Sequence, residues 1–105
     1  MNTWIKGYEG LYTISENGII FSYCIKDKIK KINPTLDKSS GYFRVRLRKD
    51  KKWKSYKLSR LLALSFIPNP ENKPYVNHKD KNRANDKIEN LEWVTASENT
   101  FHRHL

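Results

Sequence analysis

The stretch Tyr42-Phe43-Arg44-Val45-Arg46-Leu47-Arg48 constrains the fold more than any other part of the chain. Successive side chains of a strand point to opposite faces, so Phe43, Val45 and Leu47 share one face while Tyr42, Arg44, Arg46 and Arg48 share the other. After a Lys49-Asp50-Lys51-Lys52 turn, Trp53 to Leu58 reads as the returning strand. The product is a hairpin with one apolar face, which needs a core, and one strongly basic face. An earlier pair of strands, Leu11 to Ile14 and Ile19 to Tyr23, flanks Ser15-Glu16-Asn17-Gly18, whose Asn-Gly step is a tight-turn signal. A lysine-rich stretch from Lys26 to Lys31 follows and ends at Asn33-Pro34.

Ser59 to Phe66 is the clearest helical segment, with Ser59 as its expected cap and Leu61, Leu62 and Leu64 as the residues to bury. Pro68 and Pro70 stop it, because proline removes a donor and disfavours helix in the residue before it. The rest is polar and rich in asparagine (Asn69, Asn72, Asn77, Asn82, Asn85, Asn90, Asn99), as suits a loop tied to its own backbone. Pro74-Tyr75-Val76 and Leu91-Glu92-Trp93-Val94 bracket that loop, and Thr95-Ala96-Ser97-Glu98 has the form of a capping box opening a helix toward Leu105. The expected fold is therefore α+β. A small antiparallel sheet or hairpin layer with one helix occupies residues 1–67, and a strand, loop, strand and helix occupy 68–105. Trp4, Trp53 and Trp93 are expected in the core. Cys24, the only cysteine, excludes a disulfide framework and a thiolate zinc cluster and is expected to be a small buried residue.

Charge is distributed unevenly. Residues 1–60 hold 15 Lys/Arg against 5 Asp/Glu, whereas residues 61–105 hold 6 of each, so the whole excess of +10 lies in the first part. A field of that sign, interleaved with aromatics, favours nucleic-acid phosphates through counterion release. A basic two-stranded ribbon has the size to enter a DNA groove or follow a backbone, although the same arginines would also serve as a solvated surface. No apolar run approaches the ~20 residues of a membrane span, and Met1 is not followed by a signal segment, so a cytoplasmic protein is expected.

His78, Asn90 and Asn99 stand 12 and 9 residues apart, at the end of one strand, at the start of the next and on the first turn of the final helix. Phosphodiester hydrolysis needs a base to take a proton from water and a hard divalent cation held by oxygen ligands. A histidine, with an ordinary pKa of ~6.5, suits the first task, and amide oxygens suit Mg²⁺. One histidine among asparagines is equally compatible with a surface or loop-bracing role.

The residues Phe66 to Asp80, then Asn85, Asn90-Leu91-Glu92-Trp93-Val94-Thr95 and Ser97-Glu98-Asn99, resemble the HNH homing endonucleases of phages and mobile introns. Upstream, Trp4, Gly7-Tyr8-Glu9-Gly10, Tyr12-Thr13-Ile14-Ser15, Asn17-Gly18, Gly41 to Val45 and Arg60 to Ala63 resemble a NUMOD4-like DNA-binding motif that precedes such nucleases. The resemblance implies a ββα-metal fold in residues 74–105. It makes His78 the general base, Asn90 the residue that braces the loop and orients His78, and Asn77 and Asn99 ligands of Mg²⁺ or Mn²⁺. Asn77 stands where relatives commonly carry aspartate, and Ser59 where many carry histidine. Arg44, Arg46, Arg48, Lys52, Lys54, Lys57 and Arg60 become the candidate DNA contacts, with Asp80 and His102 as accessory site residues. His104 is expected at the surface. The implied function is a metal-dependent endonuclease that acts on double-stranded DNA and nicks one strand per site. It is expected as a monomer or weak homodimer, in the host cytoplasm if phage-encoded. A DNA-binding protein whose nuclease site has decayed is the alternative from another class. An RNA-binding domain would leave the C-terminal constellation without an account.

Overall fold

The computed structural model describes residues 2–25 and 28–98. Its first sheet has four antiparallel strands in sequential order: β1 (Asn2–Trp4), β2 (Tyr12–Ser15), β3 (Ile20–Ile25) and β4 (Lys28–Ile32). The Asn17-Gly18 turn joins β2 to β3, closed by Gly18 N–H donating to the Ser15 carbonyl at 2.9 Å. From Lys28 onward the lysine-rich stretch forms β4, paired to β3 with Phe21 opposite Lys31 and Ser22 opposite Lys30. Exposed lysines along an edge strand discourage a further strand from docking, which reconciles so polar a sequence with sheet structure.

A second sheet contains β5 (Thr35–Leu36), β6 (Phe43–Lys49) and β7 (Lys52–Lys57). The expected alternation holds: Val45 and Leu47 are buried while Arg46 and Arg48 are exposed. The tight turn between β6 and β7 places Asp50 (φ 53°) and Lys51 (φ 64°) in the left-handed region that such hairpin turns require. Tyrosines join the two sheets. The Tyr8 and Tyr56 hydroxyls lie 2.7 Å apart, and the Tyr12 hydroxyl accepts the Arg48 N–H at 3.0 Å. Burial, and next the Tyr56 hydroxyl, push the Tyr8 phenol up to about 12.

Helix α1 (Leu58–Phe66) begins one residue earlier than expected. Its cap position is Lys57, without a side-chain capping bond, and Ser59 lies inside the first turn and is buried, which corrects its reading as the cap. Leu58, Leu61 and Leu62 face the core. Leu64 is 48% exposed, because two positions after Leu62 a helix has turned roughly 200°. Ile67 leaves the helix in extended conformation before Pro68. The α1 leucines join Ile5, Tyr8, Tyr12, Ile14 and Ile20 from the first sheet region, Val45 and Leu47 from the second, and Leu91 from the last hairpin in one core.

That hairpin pairs β8 (Tyr75–His78) with β9 (Leu91–Val94) across a long loop, which ends in a 3₁₀ turn at Ile88–Asn90. The capping box is present: Thr95 N–H donates to Glu98 Oε1 at 3.0 Å and Glu98 N–H to Thr95 Oγ1 at 3.2 Å. Trp93 is buried as expected, with its indole N–H on the Ile67 carbonyl. Trp4 and Trp53 are 45% and 55% exposed, which corrects their assignment to the core, and Cys24 is exposed too. Among the described residues no helix is long and apolar enough to cross a membrane.

Gly18 is required twice over. It has φ +78°, and a Cβ there would meet Leu58 Cδ2 of α1 at 3.3 Å, whereas Gly7 (φ +87°) has nothing within 4 Å. Both Gly→Ala substitutions destabilise through backbone strain. Gly18→Ala is expected to cost about 1 kcal/mol more than Gly7→Ala in urea unfolding, and equal costs would mean that the turn does not bear on α1.

Candidate active site and basic face

Strand β8 delivers Asn77 and His78 to its C-terminal end, opposite Glu92 and Leu91 of β9. The 79–90 loop is too long and too polar to hold itself by apolar packing, and it is closed by hydrogen bonds instead. Lys79 N–H donates to the Asn90 carbonyl at 2.8 Å, and Asp80 N–H to Asn90 Oδ1 at 3.1 Å. The Asp80 carboxylate accepts from Asn82 N–H, Asn90 Nδ2 and Asn85 Nδ2 at 2.8, 3.0 and 2.8 Å. Asn90 Nδ2 also donates to the Asn85 carbonyl. Asp80 therefore braces the loop through an Asx turn, and Asn90 holds both the loop and the residue after His78. The Asn85 amide, then the Asn82 N–H and the Asn90 amide, hold the Asp80 carboxyl below the usual carboxylate range.

His78 is 4% exposed, and its Nε2 lies 2.7 Å from Asp86 Oδ1. The Asp86 side chain is 9% exposed, and its Oδ2 has no hydrogen-bond partner among the described residues. The ring of Tyr42 lies 5.8 Å from that of His78. Two cations sit over Tyr42 in turn, Lys57 at 4.0 Å and Arg83 at 5.0 Å, and Arg83 is anchored on the Ser40 carbonyl. Asn77 donates from Nδ2 to Glu92 Oε2 at 3.0 Å, which fixes the amide so that its oxygen points away from Glu92. That oxygen is a hard donor, suited to Mg²⁺ or Mn²⁺. Asn99, His102 and His104 lie outside the described residues, and among those described no group of three or more His, Cys, Asp or Glu side chains is placed to hold a metal.

Asp86, Arg83 and Glu92 do not figure in the sequence-based constellation. Glu92 was within reach, since a strand pairing that aligns His78 with Leu91 sets Asn77 opposite Glu92. Asp86 and Arg83 lie in an aperiodic loop, and nothing in one sequence ranks Asp86 above Asp80.

The basic face is divided by strand register. Arg44, Arg46 and Arg48 of β6 face Lys57, Ser55 and Trp53 of β7, while Lys54 is opposite Leu47 and Lys52 opposite Lys49. Lys52 and Lys54 thus do not share the arginine face. On that face Arg46 and Arg48 stack against Trp53 at 5.3 and 5.9 Å, and Arg44 Nε donates to Ser55 Oγ. Arg60 donates to the Pro74 carbonyl at 2.6 Å and lies 5.3 Å from the Trp93 ring, tying α1 to the last hairpin.

Because the folded Asp80 carboxyl is depressed, its contribution to loop order is complete above the ordinary aspartate value of ~4 and is lost as pH falls through the folded value. Protection of the Asn82 amide against hydrogen exchange is expected to fall below roughly pH 4, and Asp80→Asn should lower it already at neutral pH. Protection that is equal for both proteins at neutral pH would remove Asp80 as the brace.

Comparison with known proteins accords with this geometry. The NUMOD4 motif model matches residues 4–48 and the HNH endonuclease model residues 56–101. An uncharacterized HNH endonuclease of Acanthamoeba polyphaga mimivirus is 40% identical over 91 residues, 87% of this chain and 26% of that protein. The DNA endonuclease I-HmuI of Bacillus phage SP01 is 38% identical over 95 residues, 90% of this chain and 52% of I-HmuI. In the solved structure describing DNA binding and cleavage by the HNH homing endonuclease I-HmuI, the fold superposes with a TM-score of 0.85 at 36% identity, over 99% of this chain and 57% of that one. The chain thus spans about half of I-HmuI and about a quarter of the mimivirus relative. Residues 4–48 thus carry a NUMOD4 motif and residues 56–101 the HNH endonuclease motif, and in sequence, motif order and fold the chain is similar to HNH homing endonucleases.

Proposed function

We propose that this chain is a divalent-metal-dependent endonuclease that binds duplex DNA on the arginine face of its second sheet and nicks one strand beside His78. The observation that carries the reading is the end of β8: a histidine held by a part-buried hydrogen bond, next in the chain to an amide oxygen donor and within ring contact of Tyr42, over which two cations lie. His78 takes a proton from a water molecule, and the resulting hydroxide attacks the phosphorus as the bond to the 3′ oxygen breaks. The 3′ oxygen acquires its proton from solvent, leaving a 3′-hydroxyl and a 5′-phosphate, and His78 returns its proton to solvent. Lys57 and Arg83 supply positive charge for the phosphates flanking the scissile bond. Asn77 and Asn99 are the residues that would hold Mg²⁺ or Mn²⁺, which when bound offsets negative charge on the phosphate and the leaving oxygen. One His78 per chain favours a nick over a double-strand break. The division of labour falls near residue 68, with binding before it and cleavage after it.

A second reading, a protein that binds DNA without cleaving it, is favoured by the neutral Asn77 where relatives commonly have aspartate. Supercoiled plasmid with Mg²⁺ or Mn²⁺ distinguishes the two. Conversion to open circle is expected, abolished by EDTA and by His78→Ala. Plasmid left supercoiled under both metals would establish the second reading. Binding is tested separately through its salt dependence. Arg46→Ala and Arg48→Ala are each expected to reduce the slope of log K against log salt by about 0.9, with Lys54→Ala, on the opposite face, changing it little. Equal changes for all three would mean that the arginine face is not the binding face.

A further inference from the structure

We infer that Asp86 is the positioning residue for His78: it fixes the ring so that Nε2 carries the hydrogen and Nδ1 is the nitrogen that meets the water. This rests on the reading of His78 as the base. The resemblance to the family assigns Asn90 to bracing the loop and to orienting His78 through backbone hydrogen bonds, with no side-chain contact to the ring. Asn90 directs its side chain to Asp80 and Asn85 and its carbonyl to Lys79 N–H, and so holds the strand end and the loop. The group that touches the imidazole is Asp86, at 2.7 Å from Nε2.

A carboxylate accepts and does not donate, so the hydrogen in this bond belongs to Nε2 and the lone pair to Nδ1. Neutral imidazole in solution exchanges its hydrogen between the two nitrogens and rotates freely. In the protein the bond to Asp86 removes one choice, and packing beside Tyr42 removes the other. This is the logic by which the aspartate of a Ser-His-Asp triad holds its histidine in the productive tautomer.

The expense of the arrangement points the same way. A buried carboxylate is costly unless its oxygens are satisfied, and a buried ion pair is poor evidence of stabilisation. Asp86 is 9% exposed, its Oδ1 is given to His78, and its Oδ2 has no hydrogen-bond partner among the described residues. Asp80 in the same loop makes the opposite case. Its carboxylate is satisfied three times over by loop groups, as expected of a residue kept for structure.

Nitrogen-15 NMR of the histidine rings, with His78 assigned by its loss in His78→Ala, reads the tautomer directly. The wild type is expected to show His78 as the Nε2–H form, with a slowly exchanging, hydrogen-bonded Nε2 proton. In Asp86→Leu, whose side chain neither accepts nor donates, Nε2 loses its partner, and the ring is expected to lose the slowly exchanging Nε2 proton and to show both tautomers. Plasmid nicking by that variant should show kcat lower by about 100-fold or more at unchanged KM, with Mn²⁺ affinity by calorimetry unchanged. A wild-type ring in the Nδ1–H form overturns the inference without any variant, which keeps it testable if Asp86→Leu does not fold. A folded Asp86→Leu that nicks within threefold of the wild type also overturns it. Failure of the underlying reading looks different: His78→Ala would then keep its nicking activity whatever Asp86 does.

Discussion

Helix α1 is the piece that the three small sheets share. Each of them, of four, three and two strands, has an apolar face that needs another element to bury it against. Leu58, Leu61 and Leu62 supply the common surface, in one core with Ile14 and Ile20 on one side, Val45 and Leu47 on another, and Leu91 at the base of the final hairpin. Leu62 is fully buried, and a Leu→Ala change at such a site typically costs about 2–5 kcal/mol, a large fraction of the stability of a chain this size. The helix is also the last element before the asparagine-rich loop, so its exit at Ile67 and the Arg60 bond to Pro74 set where β8 begins. Through that register the core fixes the position of His78.

Beyond the core, a different kind of interaction takes over. The loop from Lys79 to Asn90 is exposed and almost without apolar side chains, and its shape comes from amides and carboxylates satisfying backbone groups. Hydrogen bonds of this sort contribute little net stability each, but they are directional, which a hydrophobic contact is not. The Asp80–Asn90 exchange returns the loop to the strand next to where it left, and in doing so brings Asp86 against His78. Positioning of the imidazole is thus a consequence of loop closure.

Much of this was legible in the residues, and the exceptions share a cause. The β6–β7 alternation, the Asn-Gly turn, the proline stop and the Thr95–Glu98 capping box are local rules with short periods, and each appears where the sequence puts it. Misreadings came where tertiary context decides. Leu64 looks apolar enough to bury but lies on the wrong side of α1. Trp53 looks like core, yet strand parity sets it among the arginines, where it stacks on Arg46 and Arg48. The same parity sets Lys54 on the face opposite the arginines. The lysines of β4 hide a strand because edge position, not composition, permits it. In the site, spacing singles out His78 and Asn90 as candidates and the family resemblance adds Asn77, whereas Asp86 and Arg83 emerge only once the loop's path is known.

That path also bears on how the two parts of the chain work together. Tyr42 immediately precedes β6, yet its ring rests beside His78, so the proposed binding surface and the proposed base meet at one aromatic side chain. Lys57, at the end of β7, and Arg83, in the closing loop, approach Tyr42 from the two halves of the molecule. Both cations lie over a ring face, a modest attraction that leaves most of the charge free for a phosphate. A DNA backbone lying along the arginine face toward Lys57 would therefore arrive at His78 without any rearrangement of the two halves. Arg60 strengthens the point by a different route, because its guanidinium is held by the Pro74 carbonyl and Trp93 and so joins the halves instead of reaching outward. Basic residues in such a chain serve two purposes, and what separates them is whether the fold already provides a partner.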